Sequence, residues 1–235
     1  MTSSENPSPS LSEATNRCQV IALLNQKGGV GKTTLSVNLA RALQLKGWRV
    51  LIIDTDPQGS AQDWCQAGQD HGLDMPVVVG VERPTLEKSI PQLRHAFDII
   101  IIDGAAKLQD MTVSALKVAD IVLIPVQPTA LDIWATEDLA ELVKARQAVT
   151  EGKPKAAFLV NRQIAGTRLA GDANDALSHF EIPVFRGRTT QRVAYAESIA
   201  DGSTVLDLEP NGPAAAEIVT ILEELQALMA TAAEG

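Results

Sequence analysis

Only two cysteines, Cys18 and Cys65, occur in the 235 residues, and they form no C-x-x-C pair. That scarcity excludes a disulfide framework and a cysteine-rich metal or iron–sulfur site, so both side chains are expected to be reduced thiols. Long apolar runs are also missing, and the opening MTSSENPSPSLSEATNR contains no hydrophobic core of a signal peptide. The chain is therefore expected to be soluble and cytoplasmic. No internal repeat is present. Residues 199–235 hold seven acidic groups and no Lys or Arg. An amphipathic helix in that region has no cations with which to meet anionic lipid, which argues against a membrane-bound role.

What is present suits one large folded domain. At 45% hydrophobic and 21% charged, the chain is long enough to bury a substantial core. Residues 1–17, rich in Ser, Pro, Asn and Glu, lack the apolar surface that offsets ordering entropy and are expected to form a disordered tail; residues 18–235 are expected to form the domain. The net charge of −9 is unevenly spread. Residues 153–197 carry seven basic groups against four acidic ones, a local balance of +3.

Short apolar runs rich in β-branched residues fall at 19–25, 50–54, 77–81, 98–103, 121–126 and 156–161. Such runs suit strands buried on both faces. Helical patterns occupy 33–45, 84–95, 111–118, 133–149, 168–180 and 214–230, the last with Ile218, Ile221, Leu222, Leu225 and Leu228 on one face. Repeated strand–helix alternation predicts an α/β fold, a single domain with a mostly parallel sheet flanked by helices on both faces. In such sheets ligands gather at the carboxyl ends of the strands.

The first of those ends runs into NQKGGVGKTT, residues 25–34. A phosphate-binding loop is usually spelled G-x-x-x-x-G-K-[ST], and its first glycine would stand at position 26. That glycine is missing. Gln26 takes its place and Lys27 follows, so the loop has two lysines. Gly28, Gly29 and Gly31 let backbone N–H groups curl toward phosphates, Lys32 reaches the terminal ones, and the Thr33 hydroxyl can meet Mg²⁺. The second strand ends in Asp54-Thr55-Asp56-Pro57-Gln58 and the fourth in Asp103-Gly104. Asp103, after four isoleucines, is the expected partner of Mg²⁺ through a coordinated water, since Mg²⁺ keeps much of its hydration shell. Of Asp54 and Asp56, one can steady the metal's water shell while the other positions an attacking water; spacing alone does not assign them.

KGGVGKTT, DTDPQGS, the strand-end Asp103 and the run IPVQP together resemble the ParA/MinD group of deviant Walker ATPases, over about residues 19–228. The chain is most similar to the short ParA-type members, since fewer than 20 residues precede the first expected strand, too few for the helix-turn-helix domain of longer relatives. The resemblance implies Mg²⁺-dependent, slow, partner-stimulated ATP hydrolysis. It implies nucleotide contacts at Lys27, Gly28, Gly29, Val30, Gly31, Lys32, Thr33 and Thr34, with Asn161 and Arg162 at the adenine. It gives Lys27 the role of crossing an ATP-sandwiched homodimer to the other subunit's phosphates, Asp56 that of orienting the hydrolytic water, and Thr33, Asp54 and Asp103 the metal side, partly through water. One departure stands out: Gly104-Ala105-Ala106 follows Asp103 where relatives often have Thr and prolines.

The same resemblance implies non-specific DNA binding by the ATP dimer on the nucleoid. Arg186, Arg188 and Arg192 match the group's basic DNA-contacting segment, and Arg168 extends it. A cargo-bound adaptor that stimulates hydrolysis is the implied partner, and plasmid or chromosome segregation the implied task. Positioning of chemotaxis clusters or microcompartments by the same chemistry is the alternative, and membrane regulation of the MinD kind the weaker one.

Overall fold

The computed structural model describes residues 18–106, 109–164 and 169–233. The expected tail, residues 1–17, and Arg168 lie outside the described residues. In chain order the elements are β1 Gln19–Leu23, α1 Lys32–Leu45, β2 Val50–Asp54, α2 Ser60–Asp70, β3 Val77–Gly80, α3 Leu86–Leu93, β4 Ile99–Asp103 and α4 Gln109–Val118. They continue with β5 Ile121–Val126, α5 Ala130–Trp134, α6 Glu137–Val149, β6 Lys155–Val160, α7 Leu169–Ser178, α8 Val193–Ala200, α9 Val205–Leu208 and α10 Pro213–Ala233.

The six strands form one parallel sheet in the order β3-β2-β4-β1-β5-β6. Strand alternation divides the core into two layers. Ile21, Leu23, Ile52, Ile99 and Ile101 point to one side, where α1 and α10 supply Leu35, Leu39, Leu43, Ile218, Ile221 and Leu225. Val20, Ala22, Ile53, Ile100 and Ile102 point to the other, against Leu86 and Ile90 of α3, Met111 and Ala115 of α4, and Leu139 and Val143 of α6. An unbroken apolar strand is thus apolar for two reasons at once, as expected of a parallel sheet covered on both faces.

All six expected strands are present. The helices differ in three places. The single helix expected at 133–149 is two, α5 and α6, because Thr136 is fully buried and its hydroxyl donates back to the Ile133 carbonyl at 2.6 Å, ending the first helix. Helix α2 follows the DTDPQ turn, with Ala61, Trp64, Cys65 and Gly68 facing inward at helical spacing. Helices α8 and α9 occupy a stretch that has no long apolar stripe. The apolar face of α10 is spent inside the domain, with Ile218, Ile221 and Leu225 at 0% exposure. Among the described residues no helix is long and apolar enough to cross a membrane.

Candidate nucleotide site

The sheet register gathers the site. Leu23, Asp103 and Asp54 are level on adjacent strands β1, β4 and β2, so both acidic strand ends emerge beside the loop that leaves β1. Gly104 comes next, and a Cβ there would stand 2.5 Å from the Leu23 carbonyl oxygen and 2.7 Å from Leu24 Cδ2. The glycine after the strand-end aspartate is therefore a packing requirement of this chain, since the backbone leaving β4 passes against β1. Thr55 holds the same crossing: its hydroxyl donates to the Asp103 carbonyl at 2.8 Å and accepts from Ala105 N at 3.0 Å.

The loop itself is held open by polar contacts. Gly29 and Gly31 have φ of 75° and 90°, the left-handed region in which glycine carries no Cβ penalty. The buried Asn25 accepts from Lys27 N at 2.8 Å and donates to the Pro125 carbonyl at 2.7 Å, tying the loop's entry to β5. Gln127 and Arg162 both donate to the Gly29 carbonyl, at 3.2 and 3.0 Å. Arg162 does so from φ 55°, a costly conformation for a non-glycine residue. Asn161 donates to the Val30 carbonyl and accepts from the Thr189 hydroxyl. Gly31 is confined by that side chain: a Cβ would meet Asn161 Nδ2 at 2.2 Å. Val30 is buried at the loop's centre.

Lys32 is buried, and its ammonium donates to the Lys27 carbonyl at 3.1 Å. Burial pushes its pKa down, while Asp103 and Asp56 push it back up. Asp103 is nearly inaccessible; Thr33 donates to its Oδ2 at 2.7 Å and Ser36 to its Oδ1 at 2.9 Å. Burial outweighs these bonds and raises its carboxyl from 3.8 to about 7. A hydroxyl and a carboxylate in contact form the donor set that suits Mg²⁺, which uses one or two carboxylates and leaves its other positions to phosphate and water. The described residues contain no cluster of three or more His, Cys, Asp or Glu that could hold a metal alone. Asp54 is differently placed. Its Oδ1 accepts from Asp56 N at 3.0 Å, in the turn that follows β2, and its Oδ2 from Ala61 N at 3.0 Å and Gln62 N at 3.4 Å, at the start of α2, so both oxygens already serve the backbone. Asp56 is half-buried, and its Oδ1 accepts from Gln58 N at 3.0 Å.

Lys27 forms an ion pair with Asp132 of α5 at 2.5 Å, its side chain 42% exposed and that of Asp132 5% exposed. Leu131 and Trp134 flank that carboxylate and are 70% and 67% exposed. On the other side of the loop lies a cavity of about 540 Å³ lined by Thr34, Asn161, Arg162, Thr189, Arg192 and Tyr195, among others. It contains the Asn161–Arg162 pair that the resemblance puts at an adenine. Of the basic segment, Arg186 is exposed, Arg188 is half-exposed and donates to the Arg186 carbonyl and to Gln163 Oε1, and Arg192 is paired with Glu217 at 2.9 Å. Ser36 and Asp132 join the site from outside the motifs: Ser36 lies one helical turn beyond Thr33, and Asp132 has no local pattern to mark it.

The CobQ/CobB/MinD/ParA nucleotide binding domain matches residues 21–206 of the chain. The chain is 30% identical to maintenance of carboxysome distribution protein A of Halothiobacillus neapolitanus, over 90% of this chain and 98% of that protein. It is 31% identical to the chromosome-partitioning ATPase Soj of Thermus thermophilus, over 88% and 95%. In fold it is similar to the septum site-determining protein MinD of Pyrococcus horikoshii, solved with Mg-ADP, at a TM-score of 0.72 and 20% identity, covering 91% of this chain and 98% of that one.

Proposed function

The chain belongs to the CobQ/CobB/MinD/ParA family of nucleotide-binding ATPases, and from that premise we propose that it is an ATP-gated homodimeric switch that binds DNA without sequence preference and positions a cargo. The observation that carries the reading is the convergence of the two-lysine loop, Thr33 bonded to Asp103 at 2.7 Å, and the adjoining cavity of about 540 Å³, which is roomy enough for a nucleoside.

In this reading the N–H groups of residues 28–33 and the Lys32 ammonium hold the triphosphate, with the base in the cavity beside Asn161 and Arg162. Thr33 and Asp103 hold Mg²⁺, which when bound neutralises charge on the phosphate oxygens. Burial pushes the pKa of Lys32 down, and an anionic phosphate beside it would offset that cost. Asp56, free of the helix-start duties that occupy Asp54, orients the attacking water. Lys27, held by Asp132 in the single chain, exchanges that partner for the phosphates of a second copy and delivers a cation in trans, as an arginine finger does. The exposed Leu131 and Trp134 beside it support a face that a second copy covers.

DNA contact is assigned to Arg186, Arg188 and Arg192, with Arg168. The net −9 does not oppose it, because a dimer doubles a local patch. The burial of α10's apolar face favours DNA over lipid as the matrix. The cargo is a chromosome or plasmid, with an adaptor that stimulates hydrolysis; the likeness to a carboxysome distribution protein supports a protein compartment as the second reading. Retention of random-sequence duplex is the test: it is expected with ATP, absent with ADP or no nucleotide, and reduced by about 10³ to 10⁵ between roughly 50 and 200 mM salt if about six to ten phosphates are neutralised. Absence of retention in every state overturns the DNA assignment.

A further inference from the structure

We propose that Glu217 of α10 is the positioning residue of the nucleotide site, a single carboxylate that fixes the wall on which the base rests and so sets how much of the affinity comes from the base. The inference rests on the cavity being the base site.

The wall in question runs from Thr189 to Tyr195, and no regular strand secures its first part. On its inner side it is pinned to the end of β6: Gln163 N donates to the Thr189 carbonyl at 2.9 Å, Gln191 N to the Gln163 carbonyl at 2.9 Å, and Arg162 N to the Thr189 hydroxyl at 2.9 Å. On its outer side Glu217 is the anchor. Its Oε1 accepts from the Thr190 hydroxyl at 2.7 Å and from Arg192 Nε at 2.9 Å, with Arg192 Nη2 also at 2.9 Å. Its Oε2 accepts from Thr190 N at 3.1 Å and from the Tyr195 hydroxyl at 2.9 Å. Thr190, Arg192 and Tyr195 all line the cavity.

Glu217 can act as a fixed point because its helix does not move independently of the core: Ile218 and Ile221 are fully buried in the layer beneath the sheet. Its side chain is 13% exposed, so its bonds to Arg192 and Tyr195 are little screened by water. Arg192, whose charge is matched here, serves the base wall first and is the least available of the three arginines assigned to DNA; among the described residues Arg186 and Arg188 form no ion pair with a carboxylate. A carboxamide in place of the carboxylate keeps the volume, removes the charge and exchanges one of the two acceptor oxygens, which together serve Thr190, Arg192 and Tyr195, for a donor.

The experiment compares the binding of ATP and of inorganic tripolyphosphate, which shares the phosphates and lacks the base, by titration calorimetry on the full chain. Glu217→Gln is expected to weaken ATP by about tenfold, the loss of one charge-assisted contact, and to change tripolyphosphate by less than about twofold. Tyr195→Phe, which keeps the carboxylate, is expected to weaken ATP by about two- to threefold in the same selective way; it also covers the case of a Glu217 variant that does not fold. Unchanged ATP affinity, or equal losses for both ligands, overturns the proposal, as does a parent chain that binds tripolyphosphate as tightly as ATP. A parent chain that binds neither ligand overturns the nucleotide reading itself, which distinguishes the two failures.

Discussion

At the scale of the residue, three aspartates at two strand ends have been separated by their surroundings. Asp54 is committed to the backbone, Asp103 to the Thr33 and Ser36 hydroxyls, and Asp56 to little. Asp56→Ala is therefore expected to bind ATP with unchanged affinity and to lose turnover, trapping the ATP-bound dimer; turnover at the parent rate would show that another group handles the water. Asp103 adds a pH dependence. Its folded pKa of about 7 lies above the ordinary 3.8, so the folded chain holds a proton that the unfolded chain has released. That stabilisation is complete below the unfolded value and is lost as pH rises through the folded one, about 2–3 kcal/mol of it between roughly pH 5 and pH 8. Denaturant unfolding of the nucleotide-free chain should show the decline, and Asp103→Asn should flatten it. An identical slope in both proteins would contradict the assignment. The residue scale was also the most legible in advance: the two-lysine loop and Asp103 stand where their spelling put them. Asp132 did not, because an ion pair between residues 105 positions apart leaves no trace in local pattern.

At the scale of the element, what could be read depended on how apolar the element is. The six strands announce themselves because each is buried on both faces. Helix α2 is hard to read from the sequence although Ala61, Trp64, Cys65 and Gly68 keep helical spacing, since its other positions are mostly polar and it follows directly on a motif that reads as a turn. Its start depends on a side chain outside it: Asp54 accepts from the first-turn N–H groups of Ala61 and Gln62. Asp54→Ala leaves the buried Ala61 N–H and the partly buried Gln62 N–H without their acceptor and is expected to cost about 1–3 kcal/mol of unfolding free energy, with no change in the denaturant slope. A loss below about 0.5 kcal/mol would show that water replaces the carboxylate and that α2 does not depend on it. The division of the expected 133–149 helix into α5 and α6 depends in turn on one buried threonine, which no periodicity reveals.

At the scale of the whole molecule, composition and architecture point in different directions. A chain at −9 looks unsuited to DNA, yet residues 153–197 carry a local balance of +3, and two carboxylates of the acidic stretch 199–235, Glu217 and Glu224, are engaged in holding the 186–195 segment. Lys27 of the loop meets Asp132, and the exposed Leu131 and Trp134 stand beside that carboxylate; in the proposed reading this is the face that a second copy covers. The central claim is that ATP closes that face and that Lys27 is the residue that crosses it. Light scattering on the chain with Mg-ATP, with Mg-ADP and without nucleotide measures it most directly. The account predicts a doubled mass with Mg-ATP alone, and a Lys27→Ala chain that binds ATP yet keeps the single-chain mass. A Lys27→Ala dimer of undiminished strength, or a parent chain whose mass ignores the nucleotide, would contradict it.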